Sequence, residues 1–377
     1  VLTCDGVDAA ALIGEIRDAD RESHVVVSGP LEFLKQVRNA GGTDIARLAI
    51  VHSGGMALDQ LIREIDPAVV ELDSDSATPE LCRELHAHGI RLQANARGTT
   101  ADCAEVWTRL IEAGVDAILT DHPAGVRFTD VRRRIPKFPV EIALHRGANR
   151  YAPENTLPAI ELAARLQADY IEIDIQTTQD GQFVLVHDRS LDRTTNGTGP
   201  VNLRSTAEVA ALDAGSWFGA PFAGLRVPTL DDGLQALGPR AHAYLDAKNI
   251  APEALVAAIR EHHLVSKHVV YQSPDYCRRL KSLDPDVRLL PPLRTLGDLD
   301  QIVDLKPYGV DAKWESLSAE LIARCHGAGI RVFSDALGEH ETIDDYRRAI
   351  GWGIDVIQTD FPLRVLRAVE LEAPRAH

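Results

Sequence analysis

EIALHRGANRYAPENTLPAIELAARLQADYIEIDI, residues 141–175, holds a short apolar run, a polar loop, an amphipathic stretch and a second apolar run. EIALH and YIEIDI are short and apolar, as strands are, while NTLPAIELAARLQ between them repeats its apolar residues at helical spacing. Strand, helix and strand in that order make a βαβ unit, whose two strands run parallel. The alternation continues outward through AYLDAK, HVVYQS, VRLLPP, GVDAKW, IRVFSDA and DVIQTD, with helices such as SAELIARCHGAG separating most of them. Eight strands between residue 140 and the end, in close to the roughly 250 residues such a fold needs, predict an α/β protein with a (β/α)8 TIM barrel over 140–377.

One apolar run, FVLVHD at 183–188, is left over. Only TTQDGQ separates it from YIEIDI, too little for a parallel crossover, and Asp180-Gly181 is a turn signal. The two runs are therefore expected to form an antiparallel hairpin that carries His187 towards the carboxylates of the preceding strand.

The first 130 or so residues repeat the later part of this barrel. LHAHGIRLQANARG (85–98) matches CHGAGIRVFSDALG (325–338), AGVDAILTDHP (113–123) matches WGIDVIQTDFP (352–362), and HVVVSGP (24–30) matches HVVYQSP (268–274). Amphipathic helices can look alike by chance, but repeated order at near-constant spacing across six strands points to duplication. The expected organisation is thus a partial, degenerate barrel copy over 1–135, strands 3–8 of the pattern, before the complete barrel. RRRIPKFP, 132–139, marks the boundary. Six strands cannot close an eight-stranded barrel. The missing quarter was removed, lies upstream of Val1, or comes from another chain, which makes this part a candidate surface for homo-oligomer formation.

Composition narrows the function classes. The chain has 377 residues, 45% apolar and 25% charged, with a formal net charge of −16. That is an ordinary globular balance, and the acidic charge argues against nucleic acid or an anionic membrane as partner. No apolar run is long enough to span a bilayer. The five cysteines are odd in number, scattered and without metal-type spacing, so they form no disulfide framework and leave the compartment open.

The chemistry-bearing residues gather at the ends of the first barrel strands, where barrel enzymes place their sites. His145 and Arg146 end EIALH. A guanidinium suits a phosphate and His can move a proton near neutral pH, although a satisfied strand-end His beside a surface Arg reads equally well from the pair alone. Glu172 and Asp174 stand two apart on one strand face. Like charges directed into a barrel mouth need a cation or a proton, and two carboxylates with another oxygen donor suit a hard cation, Ca²⁺ or Mg²⁺. His187-Asp188 ends the hairpin strand, and Asp246 and Lys248 share a face of AYLDAK, which alone would read as an ion pair. Together these strand ends supply two His, three carboxylates, one Arg and one Lys, the makings of a metal-plus-phosphate site.

These residues also carry a family resemblance. HRG-x5-PENT, IEID, TTQDG, VLVHD, RTTNGTG, WFGAPFAGLRVPTLDDGL, LDAK and IQTDFP resemble, in order and spacing from about 140 to 370, the glycerophosphodiester phosphodiesterase family. The resemblance implies a metal-dependent barrel that hydrolyses glycerophosphodiesters to sn-glycerol 3-phosphate and an alcohol. It implies His145 and His187 as the general acid/base pair, and Glu172, Asp174 and Asp246 as metal ligands. It further implies phosphate contact by Arg146 and Lys248, with support from Glu154. Two departures stand out. The third ligand position, often Glu, is Asp246, one methylene shorter. The tryptophan the family commonly carries on the strand that here reads RVFSDALG is replaced in the region of Ser334 and Asp335, which puts a plain glycerol group in doubt. Trp217, Phe218 and Trp314 could wall that side, or simply be core.

The earlier copy lacks this constellation. Setting AYLDAK over VLTCD puts Thr3 where Asp246 stands and Asp5 where Lys248 stands. Glu71 and Asp73 share a strand face without a His partner and read as a solvated rim. The N-terminal part is therefore expected to be catalytically inert, serving as scaffold, dimer surface or binding module. Two other functions stay open: a non-catalytic phosphodiester-binding or regulatory protein, and a phosphodiesterase acting on lysophospholipids. The leaving alcohol and the choice of Ca²⁺ or Mg²⁺ are not legible.

Overall fold

The computed structural model describes residues 1–52, 57–98, 100–135, 137–238 and 241–373. Pro136, within the boundary segment 132–139, lies outside the described residues. The chain divides into two compact units, Val1–Asp130 and Val131–His377, and one helix, Pro123–Arg134, runs through the division.

The first unit is built on one parallel sheet of six strands in sequence order. They are β1 (Leu2–Thr3), β2 (Val26–Ser28), β3 (Ala46–Ile50), β4 (Val69–Asp73), β5 (Arg91–Asn95) and β6 (Ala117–Leu119). Helices connect successive strands and bury apolar faces such as Leu34 and Val37, or Trp107 and Leu110, in one core with Val27, Val70 and Leu92. The sheet curls as part of a barrel does and does not close. Glu71 departs from the expected solvated rim. It is buried, and its carboxylate accepts from Gln93 Nε2 at 2.6 Å and Asn95 Nδ2 at 3.2 Å. Side-chain amides on the neighbouring strand replace the water that period-2 reasoning assigned to it.

The second unit is a parallel barrel whose strands match the eight read from sequence, with one broken in two. Its strands are β7 (Glu141–Leu144), β8 (Tyr170–Thr177), β9 (Phe183–Leu185), β10 (His242–Asp246), β11 (His268–Tyr271), β12 (Leu289–Leu290), β13 (Pro292–Leu293), β14 (Gly309–Ala312), β15 (Arg331–Asp335) and β16 (Val356–Thr359). The hydrogen-bonded order is β12-β11-β10-β8-β7-β16-β15-β14-β13. β12 and β13 are one run, VRLLPP, interrupted at Pro291. Prolines at 291 and 292 have no N–H to donate to a ladder, so the run can only accept there. It does so: Asp311 N donates to Pro291 O and Lys313 N to Leu293 O, both at 3.0 Å. β8 is buried on both faces along almost its whole length, as a strand covered by barrel interior and helices must be.

β9 pairs antiparallel with β8, Ile175 opposite Leu185 and Thr177 opposite Phe183. Gly181 takes a φ of +78° in the turn, which a Cβ would oppose. Inside the barrel, Ala143, Tyr170, Tyr244, Val269, Leu290, Phe333 and Val356 pack as one layer. Towards the N-terminal ends of the strands, Arg331 donates to Glu141 Oε2 and to the Tyr308 hydroxyl, both at 2.6 Å. The N-terminal end is thereby filled, and polar side chains converge at the opposite mouth. No described helix is long and apolar enough to cross a membrane.

Candidate active site

The loop after β7 turns back at once. Arg146 and Gly147 take consecutive positive φ values, +53° and +77°. A Cβ on Gly147 would stand 2.7 Å from the Ala159 carbonyl carbon, so only glycine lets the turn approach the helix Leu157–Arg165 this closely. The turn is tied to β8: Arg146 N donates to Glu172 Oε2 at 2.6 Å and Gly147 N to Glu172 O at 3.1 Å. This brings the β7 end beside the paired carboxylates of β8.

Glu172, Asp174 and Asp246 each offer a carboxylate oxygen, all within 4.8 Å of one another. Glu172 and Asp174 are 3% and 1% exposed, so the cluster is dry enough for charge to matter. Burial first, and then the Asp174 and Asp246 charges, push the Glu172 carboxyl well above its ordinary range. Burial and Asp174 likewise raise Asp246. Asp174, despite its burial, is held low by Lys248, His187 and a hydrogen bond from Asn155 Nδ2 at 2.7 Å. Lys248 Nζ lies 3.1 Å from Asp174 Oδ1 and also contacts Asp246 Oδ2, and both carboxylates keep it protonated against the effect of burial. Three hard oxygen donors in one dry cluster fit a divalent cation.

Two histidines adjoin this cluster, His187 by its charge on Asp174 and Asp246 and His145 next to Arg146, and each is held the same way. His145 Nδ1 is 2.9 Å from Asp360 Oδ1, and Asn149 Nδ2 donates to the same oxygen at 2.7 Å. Burial alone would raise Asp360, but these two bonds hold it below the usual carboxylate range. His187 Nδ1 is 2.7 Å from Asp188 Oδ1. Hydrogen bonds from Arg193 and then His187 hold Asp188 low as well. A carboxylate at Nδ1 fixes the ring and its tautomer and leaves Nε2 as the nitrogen able to exchange a proton.

Glu154 ties the two histidine environments together. It accepts from Arg146 Nη1 at 2.8 Å and, bidentately, from both Arg193 Nη atoms at 2.8 Å. Arg193 in turn donates Nε to Asp188 Oδ2 at 2.7 Å. Arg146 Nε lies 3.5 Å from Asp174 Oδ2 and has no hydrogen-bond partner among the described residues, so the guanidinium keeps a donor facing the cluster.

The structure thus brings together all eight residues singled out in sequence: His145, Arg146, Glu154, Glu172, Asp174, His187, Asp246 and Lys248. It adds Asp360, Asn149, Asn155 and Arg193. Each lies in a stretch already quoted (IQTDFP, HRGANR, PENT, RTTNGTG), but nothing in those stretches says which partner the side chain will meet. Of the aromatic candidates, Trp314 is 7% exposed and stacks on His340, while Trp217 is 42% exposed and meets Phe218 edge-on.

The family model described as "Glycerophosphoryl diester phosphodiesterase family" matches residues 145–364. The chain is 32% identical over 244 residues to a glycerophosphodiester phosphodiesterase of Bacillus subtilis (strain 168), covering 58% of this chain and 82% of that protein. It is also 32% identical over 244 residues to a glycerophosphodiester phosphodiesterase of Caldanaerobacter subterraneus subsp. tengcongensis, covering 60% of this chain and 97% of the relative. Among solved structures, it is similar to a glycerophosphodiester phosphodiesterase from Agrobacterium tumefaciens str. C58. There the TM-score is 0.54 at 33% identity, covering 60% of this chain and 99% of that one. With a family match spanning more than half of its length, the chain belongs to the glycerophosphoryl diester phosphodiesterase family and is a phosphoric diester hydrolase.

Proposed function

We propose that this protein hydrolyses glycerophosphodiesters to sn-glycerol 3-phosphate and an alcohol, with Glu172, Asp174 and Asp246 holding a divalent cation, Ca²⁺ or Mg²⁺. The observation that carries this reading is the pair of carboxylate-held histidines adjoining the three-carboxylate cluster. When bound, such a cation neutralises charge on the non-bridging phosphate oxygens. Arg146 and Lys248 hold the same phosphate group, and Glu154 keeps Arg146 in place. One histidine takes the proton of the nucleophile, water or the glycerol hydroxyl, on Nε2. The other gives its proton to the leaving alkoxide, and Asp360 and Asp188 stabilise whichever ring is charged.

The test is turnover of glycerophosphocholine or a chromogenic phosphodiester after chelation, with Ca²⁺ or Mg²⁺ added back. His145→Ala and His187→Ala are each expected to lower kcat by about 10²–10⁴-fold. Metal-independent activity surviving both substitutions would overturn the reading. Ligand-induced stabilisation without turnover would favour a binding or regulatory protein, and preferential turnover of lysophospholipids would change the substrate.

We also infer that residues 1–135 are a partial, degenerate copy of the barrel, its strands 3–8, without catalytic function. Two hydrogen-bond networks recur at the matched positions. His86 Nε2 meets Asp116 Oδ2 at 2.8 Å, and Leu92 N donates to that oxygen at 2.8 Å. His326, Asp355 and Val332 do the same at 2.7 and 2.8 Å. Asp102 accepts from the Thr120 hydroxyl and Asp121 N, as Glu341 accepts from the Thr359 hydroxyl and Asp360 N. The copies part at the chemistry: Asp121 pairs with Arg97 where Asp360 holds His145. Asp121→Ala is therefore expected to leave turnover unchanged, while Asp360→Ala lowers it. Equal losses would refute the assignment.

A further inference from the structure

Three polar side chains on consecutive strands, outside the carboxylate cluster, have no role in the chemistry above. Asp311 on β14, Asp335 on β15 and Gln358 on β16 each keep a buried side-chain oxygen, Oδ1, Oδ1 and Oε1, that no described residue donates to. All three face the barrel interior. Phe333 and Val356 lie in the interior layer, and Asp335 and Gln358 stand two residues further along the same strands. Asp335 is the register partner of Gln358, and Asp311 that of Phe333. Gln358 is only 4% exposed, so its amide has left water without gaining a protein partner for Oε1. Orphaned buried acceptors are uncommon and costly, and three on one face call for a common explanation.

Asp311 and Asp335 line a cavity of about 500 Å³ with Tyr271, Trp314, Arg294 and His340, and Gln358 stands next to Asp335 in the sheet. It adjoins the site, because Asp335 feels the charges of His145, Asp246 and Lys248. We propose that Asp311 and Asp335, backed by Gln358, form a subsite for a polyhydroxylated group of the substrate, an alcohol carrying several free hydroxyls. This rests on the phosphodiester hydrolysis proposed above and names the class of diester that the site takes.

The chemistry favours hydroxyls over a cationic head group. Strands about 4.8 Å apart present their acceptors at intervals that neighbouring hydroxyls on one carbon chain or ring can meet. Arg294 at the cavity wall repels an ammonium, yet can donate to a hydroxyl oxygen.

The experiment compares kcat/KM for glycerophosphoinositol, glycerophosphoethanolamine and bis(p-nitrophenyl) phosphate, which has no hydroxyl, in saturating Mg²⁺ or Ca²⁺. The protein is expected to prefer the inositol diester. Asp311→Leu and Asp335→Leu should each lower kcat/KM for that diester about tenfold, through KM, while turnover of the hydroxyl-free diester stays within about twofold. Asp335→Asn, which keeps the shape and an acceptor, should retain most of the preference and guards against a folding defect. Equal losses on the hydroxyl-free diester, no loss on the inositol diester, or a loss confined to the ethanolamine diester would each overturn the proposal. If no diester is turned over, the hydrolysis reading alone fails. Calorimetry then decides the subsite: glycerophosphoinositol binding weakened tenfold by Asp311→Leu, with inorganic phosphate binding unchanged, sustains it. Absent or equally weakened binding overturns it.

Discussion

Gly147→Ala tests whether the β7 turn sets the site. Two costs add. At φ +77° an L residue is strained by about 1–2 kcal/mol. The new Cβ would also meet Ala159 at 2.7 Å (carbonyl C), 2.8 Å (O) and 2.9 Å (Cβ). Two of those atoms are backbone at the start of a helix, which cannot rotate away, so relief requires moving the turn or the helix at about 1–3 kcal/mol. The sum is roughly 2–5 kcal/mol, or a fall in the barrel's Tm of roughly 4–20 °C at this size. Gly181→Ala is the internal control. It has nearly the same φ, +78°, but nothing within 4 Å of its Cβ, so only the strain remains. Differential scanning calorimetry of both variants separates the two costs. Because Arg146 N and Gly147 N bond to Glu172, the displaced turn should also lower kcat/KM by about 10–100-fold, which Gly181→Ala should not do. If Gly147→Ala lowers Tm no more than Gly181→Ala does, or leaves kcat/KM intact, the close-approach argument is wrong.

Further outcomes follow from the electrostatics. Burial and like charges raise Glu172 and Asp246, so protons compete with a cation there, and the apparent Kd for Ca²⁺ or Mg²⁺ should rise as pH falls from 8 to 6. Calorimetric titration at several pH values would contradict this if Kd stayed flat. His268 is fully buried and neutral, its Nδ1 donating to Leu264 O and its Nε2 accepting from Arg288 N, and burial pushes its pKa down to about 4. The lowered folded value means that this contribution is whole above about pH 6.5 and is lost as pH falls towards 4, by about 3 kcal/mol in all. Denaturant midpoints should show a shallower decline over that window in His268→Gln, and an unchanged slope would count against it. Arg193→Ala removes the clamp on Glu154 and the bond to Asp188, and should lower kcat/KM about tenfold in steady-state kinetics. Unaltered kinetics would assign Arg193 to the surface.

Much of the barrel was legible because its signals are local. The 141–175 stretch switches from strand to helix and back within one βαβ unit, and Asp180-Gly181 marks the hairpin. Spacing by two placed Glu172 with Asp174, and Asp246 with Lys248, on common faces. The same rule misjudged Glu71, since spacing names a face but not what covers it. Pairings across the chain were out of reach. Asp360 reaches His145 only because β16 pairs with β7, and Arg193 reaches Glu154 across 39 positions that include a helix and the β8–β9 hairpin.

The sequence by itself determined the alternation of strands and helices, the turn at Asp180-Gly181, and the residues that share a strand face. Those follow from backbone sterics and a two- or 3.6-residue period, which act over a few residues. The tertiary structure alone decided which carboxylate holds which histidine, that Lys248 bridges Asp174 and Asp246, and that Asp311, Asp335 and Gln358 face inward unpaired. Each depends on how strands assemble into the sheet, which sets residues as far apart as His145 and Asp360, 215 positions, within hydrogen-bond reach and removes the water that would otherwise screen them.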